Sequence, residues 1–276
     1  MTNNLKPLKS NIHTHTTFSD GIDTAEKVVL RALELGFHTL GFSDHGCADY
    51  DDAAMLPDVE PQYRREIARL REKYAGEIDI LLGYEHDWLS PIDVSRYDYV
   101  IESVHYLDAH GEYACVDRSR EDLLADIDRY YGGDPYAFCR AYFQTVAESC
   151  NSGAGILGHM ELVMKFNEHR DIFDDADPRY LRYALEAADA AADSGKIVEI
   201  NTGAIAKGYR TQPYPGPAIL RRLAERRVPV LISSDCHNCA FLDCGFSEAV
   251  ALAAACGFKT AWAYRGREPI EYRLET

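Results

Sequence analysis

The chain is short of positive charge and has no apolar run long enough to cross a membrane as a helix. Lys and Arg number 29 against 45 Asp and Glu, a formal net charge of −16 over 276 residues. Holding a nucleic-acid backbone needs a basic stripe, so DNA and RNA are not expected partners. A spanning helix needs about 20 consecutive apolar residues, and the apolar runs here are strand-sized, so no membrane association is expected. The opening MTNNLKPLKS lacks the apolar stretch of a secretory leader, which points to a cytoplasmic protein. The eight cysteines are therefore expected as thiols. Cys236, Cys239 and Cys244 have the spacing of part of a zinc knot, but a closed site needs further ligands. Small buried side chains are the expected reading. No repeat, low-complexity tract or linker interrupts the sequence, and its 46% hydrophobic content suits one domain with a large core over residues 1–276.

What the chain does have is a recurrence. Six short apolar runs each end in a residue type that binds metal: NIHTH (His13, His15), GFSDH (His45), LLGYE (Glu85), VIESVH (His105), ILGH (His159) and LISSDCH (Asp235, His237). A lone histidine at a strand end is usually structural, whereas an ordered series points to parallel strands delivering their last residues to one polynuclear site.

Helical patterns alternate with those runs. Val28, Val29, Ala32 and Leu33 recur at helical spacing between Thr24 and a stop at Gly36, and Pro61 to Tyr74 reads as an amphipathic helix. IDILLGYEHDW and YDYVIESVHYL are strands adjacent in sequence, separated by Ser90-Pro91. Two helices follow between Glu121 and Cys150, broken at Gly132-Gly133-Asp134-Pro135. GILGHM, KIVEINTG and PVLISSDCH complete the strands, with helices at Asp177 to Ser194 and Pro217 to Arg226 between them. A last helix, Glu248 to Cys256, and a short FKTAWAY run close the chain. Near-continuous apolar strands separated by helices require a parallel sheet covered on its faces. In α/β barrels, which commonly use about 250 residues, active sites form at the C-terminal ends of the strands, where these ligands lie. The long acidic segment after His45 is a candidate lid.

On a strand, residues two apart share a face, so His13 and His15 can grip one ion, and Asp235 and His237 repeat the geometry. Asp20, in the Ser19-Asp20-Gly21 turn, can reach back over the site, and Glu85 can bridge two ions. Nitrogen and oxygen ligands without thiolate favour Zn, Mn or Fe at a hydrolytic centre. Two such ions about 3.5–4 Å apart activate water and stabilise in-line displacement at phosphorus, so phosphate-ester hydrolysis is the expected chemistry.

The ordered set H-x-H, SDG, SDH, GxE, VH, GH and SDxH, spanning residues 12 to 237, resembles the polymerase-and-histidinol-phosphatase (PHP) superfamily of metal-dependent phosphoesterases. VIESVHY, GHMELVMKF, VEINTG and YPGPAIL are similar to stretches of its stand-alone histidinol-phosphate phosphatases. The resemblance implies a distorted TIM-like (β/α)7 barrel with two or three divalent ions. It would place His13, His15, Glu85 and Asp235 on the first, Glu85, His105 and His159 on the second, and Asp20, His45 and His237 on the third. It also implies hydrolysis of L-histidinol phosphate to L-histidinol and phosphate, in histidine biosynthesis, by a metal-bridging hydroxide without a side-chain nucleophile. A phosphoesterase for a nucleotide or sugar phosphate is the alternative.

Glu161 stands where the family often has Asp, and Lys165 where it usually has Arg, so phosphate would meet a point charge rather than a two-pronged donor. Lys165, with Lys207 and Arg210, is the expected phosphate contact, and Glu161 and Glu199 are the expected acids around a cationic amine. Asp44 and Asp87 stand beside ligands as candidate partners of their imidazoles, and Trp88, Tyr106 and Tyr209 as candidate stacking rings. His38, His86, His110 and His169 are expected bystanders. A metal-dependent amidohydrolase would carry a strand-four lysine or a lone final aspartate, whereas this chain has SVHY and Asp-x-His. A regulatory module would be expected to have lost ligands, and none of the expected ones is missing.

Overall fold

A computed structural model of the chain describes residues 9–274. Residues 1–8, on which the expectation of no secretory leader rests, lie outside them.

Local chemistry sets the helix ends. Thr24 accepts a hydrogen bond from Lys27 N before α1 (Ala25–Leu35), and Gly36 closes the helix in the left-handed conformation, φ 75°. α2 (Glu60–Lys73), α4 (Pro135–Ser149) and α5 (Pro178–Ser194) each carry a proline in the first turn, where no amide hydrogen is needed. Ser119 caps α3 (Arg120–Tyr131), Asp134 caps α4 and Asp177 caps α5. A single-turn α6 (Gly203–Ala206), α7 (Pro217–Glu225) and α8 (Phe246–Ala255) complete the helices labelled here.

The strands are β1 (Ser10–Asn11), β2 (Thr39–Phe42), β3 (Asp79–Leu82) with its continuation β4 (Glu85–Asp87), β5 (Ile101–Ser103), β6 (Tyr106–Asp108), β7 (Tyr113–Cys115), β8 (Ile156–Leu157), β9 (Ile197–Asn201), β10 (Val230–Ser233), β11 (Thr260–Arg265) and β12 (Glu268–Arg273). Parallel pairing runs β1-β2-β3 and β4-β5-β8-β9-β10. Bridges His45 to Glu85 and Thr14 to Cys236 close the ring, giving the seven-stave distorted barrel that the family resemblance implies. Helices α1 and α2 pack outside β1 to β3 in one apolar cluster, and the remaining helices cover the other staves in a second.

Two local readings are corrected, and the closing run is located. IDILLGYEHDW is interrupted at Gly83-Tyr84 rather than continuous. Tyr99 crosses the interior there, donating to the carbonyls of Ile12 and Phe42, and a Cβ on Gly83 would sit 2.1 Å from its ring. YDYVIESVHYL leaves the barrel after Ser103, and its end pairs in an antiparallel hairpin of β6 with β7. The closing run forms β11 beside β10 at the lower end, with β12 antiparallel to it. Among the described residues no helix is long and apolar enough to cross a membrane.

Inside the barrel, Ile12, Leu81, Ile101, Ile156 and Leu231 meet in an apolar floor, with Ile197 packed against it. Side chains on one face recur every second residue. The face of Ile101 therefore continues to Ser103 and His105, that of Ile197 to Glu199 and Asn201, and that of Leu231 to Ser233 and Asp235. Apolar floor, polar middle and ligand mouth are successive layers of one inward face.

Candidate metal centre

Glu85, at the start of β4, is 1% exposed and stands at the centre of the mouth. Its Oε2 lies 3.3 Å from His13 Nε2, 3.4 Å from His15 Nε2 and 3.1 Å from His45 Nδ1. Its Oε1 lies 2.8 Å from His159 Nε2 and 3.3 Å from His105 Nε2. The two oxygens of one carboxylate are thus divided between two groups of imidazoles. Asp235 Oδ1 joins the first group, 3.1 Å from His15 Nε2 and 3.7 Å from His13 Nε2. Asp20 stands beside it, with Oδ2 2.9 Å from His237 Nε2 and Oδ1 3.8 Å from His45 Nε2. His15 stacks on His237 with ring centroids 4.1 Å apart. The structure therefore brings together all nine residues expected as metal ligands.

Their donor atoms form four overlapping sets, His13/His15/Asp235, His13/Glu85/His159, His45/Glu85/His105 and His15/Asp20/His45/His237, each within 4.8 Å. His13 Nε2, both ring nitrogens of His15 and Glu85 Oε2 are buried without a hydrogen-bond partner. Buried polar atoms are costly in that condition, and several aimed at one point are what divalent cations satisfy. The electrostatics agree. Burial alone would raise Glu85 and Asp235, but His13 and the other imidazoles hold both carboxyls well below the usual range. Burial, together with His237 and His45, pushes His15 down to about 3, leaving a neutral ring with a free lone pair.

The surrounding acids divide by depth. Asp87 accepts from His105 N at 2.9 Å and lies 3.4 Å from His105 Nδ1, so it is a partner of a cluster histidine. Asp44 instead holds the turn that carries Asp20, accepting from Thr16 N at 2.8 Å and Ser19 Oγ at 2.8 Å, and burial raises it to about 6. His86 pairs with Glu102 at 2.8 Å and, with His38, His110 and His169, takes no part in the ligand sets found among the described residues.

The mouth opens into a cleft of about 350 Å³. Lys165 and Lys207 line it, the first buried with Nζ 2.8 Å from Asp117 Oδ2, the second exposed with Nζ 3.4 Å from His237 Nε2. The other three expected substrate contacts are turned away. Arg210 reaches back to Met164 O at 3.3 Å and Glu168 Oε2 at 3.3 Å. Glu161 accepts from Tyr180 Oη at 2.7 Å and Gly216 N at 2.5 Å, and Glu199 lies fully buried beneath His13. The acids that do wall the cleft are Asp51, Asp52 and Asp117, beside Arg118. Sequence reading missed all four, because they come from the segment after His45 and the exit of the β6-β7 hairpin, whose meeting depends on Tyr50 stacking on Tyr113 at 4.1 Å. Tyr106 also lines the cleft but donates to Asp51 rather than stacking on an imidazole, and Tyr209 packs on Phe166. Trp88 packs against the apolar core.

The model of the PHP domain matches residues 11–203, most of the chain, and takes in seven of the nine cluster residues, all but Asp235 and His237. The chain belongs to the PHP domain family. A relative from Deinococcus radiodurans, described as "Probable histidinol-phosphatase", is 30% identical over 86% of this chain and 90% of its own length. The "Histidinol-phosphatase" of Bacillus subtilis is 24% identical over 82% of this chain and 92% of its own. The crystal structure of histidinol phosphate phosphatase from Lactococcus lactis, complexed with zinc, L-histidinol and phosphate, superposes with a TM-score of 0.73 at 20% identity, covering 95% of this chain and 99% of that one. That likeness is one of fold, and it gives this PHP chain the same TIM-like barrel. The His, Asp and Glu sets of this chain have the donor chemistry of a divalent-metal centre.

Proposed function

We propose that the chain is a metal-dependent phosphatase that hydrolyses L-histidinol phosphate to L-histidinol and phosphate. The observation that carries the reading is the divided Glu85 carboxylate at the base of a cleft walled by both cations and acids. The names of the two relatives, at 30% and 24% identity, support the same substrate.

His13, His15, Asp235 and Glu85 Oε2 would hold one ion, His105, His159 and Glu85 Oε1 a second, and Asp20, His45 and His237 a third. Bound there, Zn, Mn or Fe would polarise the phosphoryl oxygens and lower the pKa of water to supply a nucleophile. The chain's own residues do the rest. Lys165 and Lys207 present ammonium groups to the phosphate, as point charges. Asp51 and Asp52 offer carboxylates to the amine of the alcohol portion, the role expected of Glu161 and Glu199. The apolar floor below Glu85 keeps solvent from approaching the cluster from the lower end of the barrel.

Purified protein stripped with a chelator and reloaded with Zn, Mn or Fe should release phosphate from histidinol phosphate. A charge-assisted contact to the amine contributes about 1.5–3 kcal/mol, so kcat/KM should exceed that for nucleotide and sugar phosphates roughly 10- to 100-fold. Equal or faster turnover of another monoester would remove the substrate while leaving the chemistry. No release from any monoester would remove both.

A further inference from the structure

Of the seven staves, β9 alone brings no metal ligand to the mouth, yet it carries a charged residue on its inward face. Glu199 is fully buried, one layer below the ligands. Its Oε1 takes His13 Nδ1 at 2.5 Å and the hydroxyl of Ser233, and its Oε2 takes His159 N at 2.7 Å and Asn201 Nδ2 at 3.0 Å. The orientation of Asn201 is fixed independently, because its Oδ1 accepts from Gly203 N at 2.8 Å. Neither His159 N nor Asn201 Nδ2 can act as an acceptor, so Oε2 must be an acceptor itself.

We infer that Glu199 is a positioning residue: its carboxylate fixes His13 as the Nδ1–H tautomer, so that Nε2 turns a lone pair to the ion, and the same group ties down the backbone of His159. The inference rests on the reading of His13 and His159 as ligands. An imidazole that binds metal through one nitrogen commonly donates the other N–H to a carboxylate, and losing that partner typically weakens metal binding 10- to 100-fold. Here the demand on the carboxylate is unusually strict, since both of its oxygens face donors. A glutamine of the same size has one acceptor. With its oxygen held by His159 N and Asn201, its NH2 group faces His13 Nδ1, which must then accept, and the ring proton moves to Nε2, where the ion belongs.

Glu199→Gln therefore separates shape from tautomer. Zinc-loaded wild-type protein labelled with 15N should show a His13 Nδ1 proton that is shifted downfield and slow to exchange with water. In E199Q that signal should be lost, and zinc affinity by chelator competition should fall 10- to 100-fold. Glu199→Asp keeps both acceptors on a shorter arm and should fall between the two. An E199Q protein with wild-type affinity and an unchanged His13 signal overturns the inference. Should E199Q fail to fold, the wild-type spectrum decides, and a His13 Nδ1 proton in fast exchange also overturns it. Wild-type protein that binds no zinc would instead strike at the metal-centre reading itself.

Discussion

The lower and upper halves of the barrel are made from the same staves and held together by opposite physics. Below, Ile12, Leu81, Ile101, Ile156 and Leu231 fill the interior, and each fully buried aliphatic side chain stabilises the fold by about 1.5–3 kcal/mol. Above, the same inward face carries His105, Glu199, Ser233 and Asp235, and burying charge is unfavourable unless it is paired or bound to metal. At the foot of this upper half, Ser103 donates to Glu85 Oε1 at 2.7 Å and Ser233 to Glu199, a polar layer between floor and ligands. The lower half needs nothing from outside the chain, whereas the upper half is complete only with cations, so stability and function can be disturbed separately.

The largest expected effect follows from removing the residue that both halves of the ligand cluster share. Glu85→Ala should lower kcat on the order of 10³-fold or more, about 4 kcal/mol, and elemental analysis should show ions lost together rather than singly. Retention of the full wild-type metal content would break the bridging role. At the floor, Ile101→Ala should destabilise the protein by about 2–5 kcal/mol, because it removes a fully buried side chain and leaves a cavity. Metal content per folded molecule should not change. Melting curves with and without zinc sharpen the contrast: zinc at a hundred times its Kd adds about 2.7 kcal/mol, and the Ile101→Ala loss should appear equally in both curves. A floor variant that loses its metal would mean that the halves are coupled.

How far the sequence could be read follows the same division. Eight of the nine cluster residues stand out because ionisable types at the ends of apolar runs are chemically out of place, and the run order places them on one rim, while Asp20 is read from the turn that follows His15. Periodicity gives the face of a residue but not its depth. Glu199 has the face of a site residue and sits one layer too low to meet substrate. Glu161 follows a ligand by two positions, yet the turn after β8 directs it to Tyr180 on α5. Arg210 has the right charge in the right loop and is held by Glu168. The acidic segment after His45 reads as a lid, but nothing local singles out Asp51, Asp52, Asp117 or Arg118, since only long-range contacts of that segment with the β6-β7 hairpin bring them to the cleft. The hairpin itself lies hidden in what reads as one strand, because Val104 and His105 continue the alternation after the pairing has stopped.

Gly203 tests how tightly the upper half is built. Asp235 has φ 47°, a left-handed backbone unusual for a residue with a side chain, and a Cβ on Gly203 would lie 2.8 Å from Asp235 Cβ and 2.9 Å from Oδ2. Gly203→Ala should displace Asp235 and weaken zinc binding, read by chelator competition, by roughly the 10- to 100-fold typical of lost support around a ligand. Unaltered affinity would show that Asp235 can move and still serve.

The smallest effect belongs at the outermost edge. Lys207 is exposed, with its ammonium group 3.4 Å from His237 Nε2, while Lys165 is buried and paired with Asp117. An exposed charge contributes about 0.2–1 kcal/mol, so Lys207→Ala should raise KM for a phosphate monoester no more than about fivefold and leave kcat unchanged. Because exposed charges are screened over about 10 Å at 0.1 M salt, the difference between variant and wild type should shrink as salt is added. Steady-state kinetics at two ionic strengths measure this directly. A loss in kcat that persists at high salt would place Lys207 with the rigid cluster below it, and would move the boundary between the mouth and its solvated rim outward by one residue.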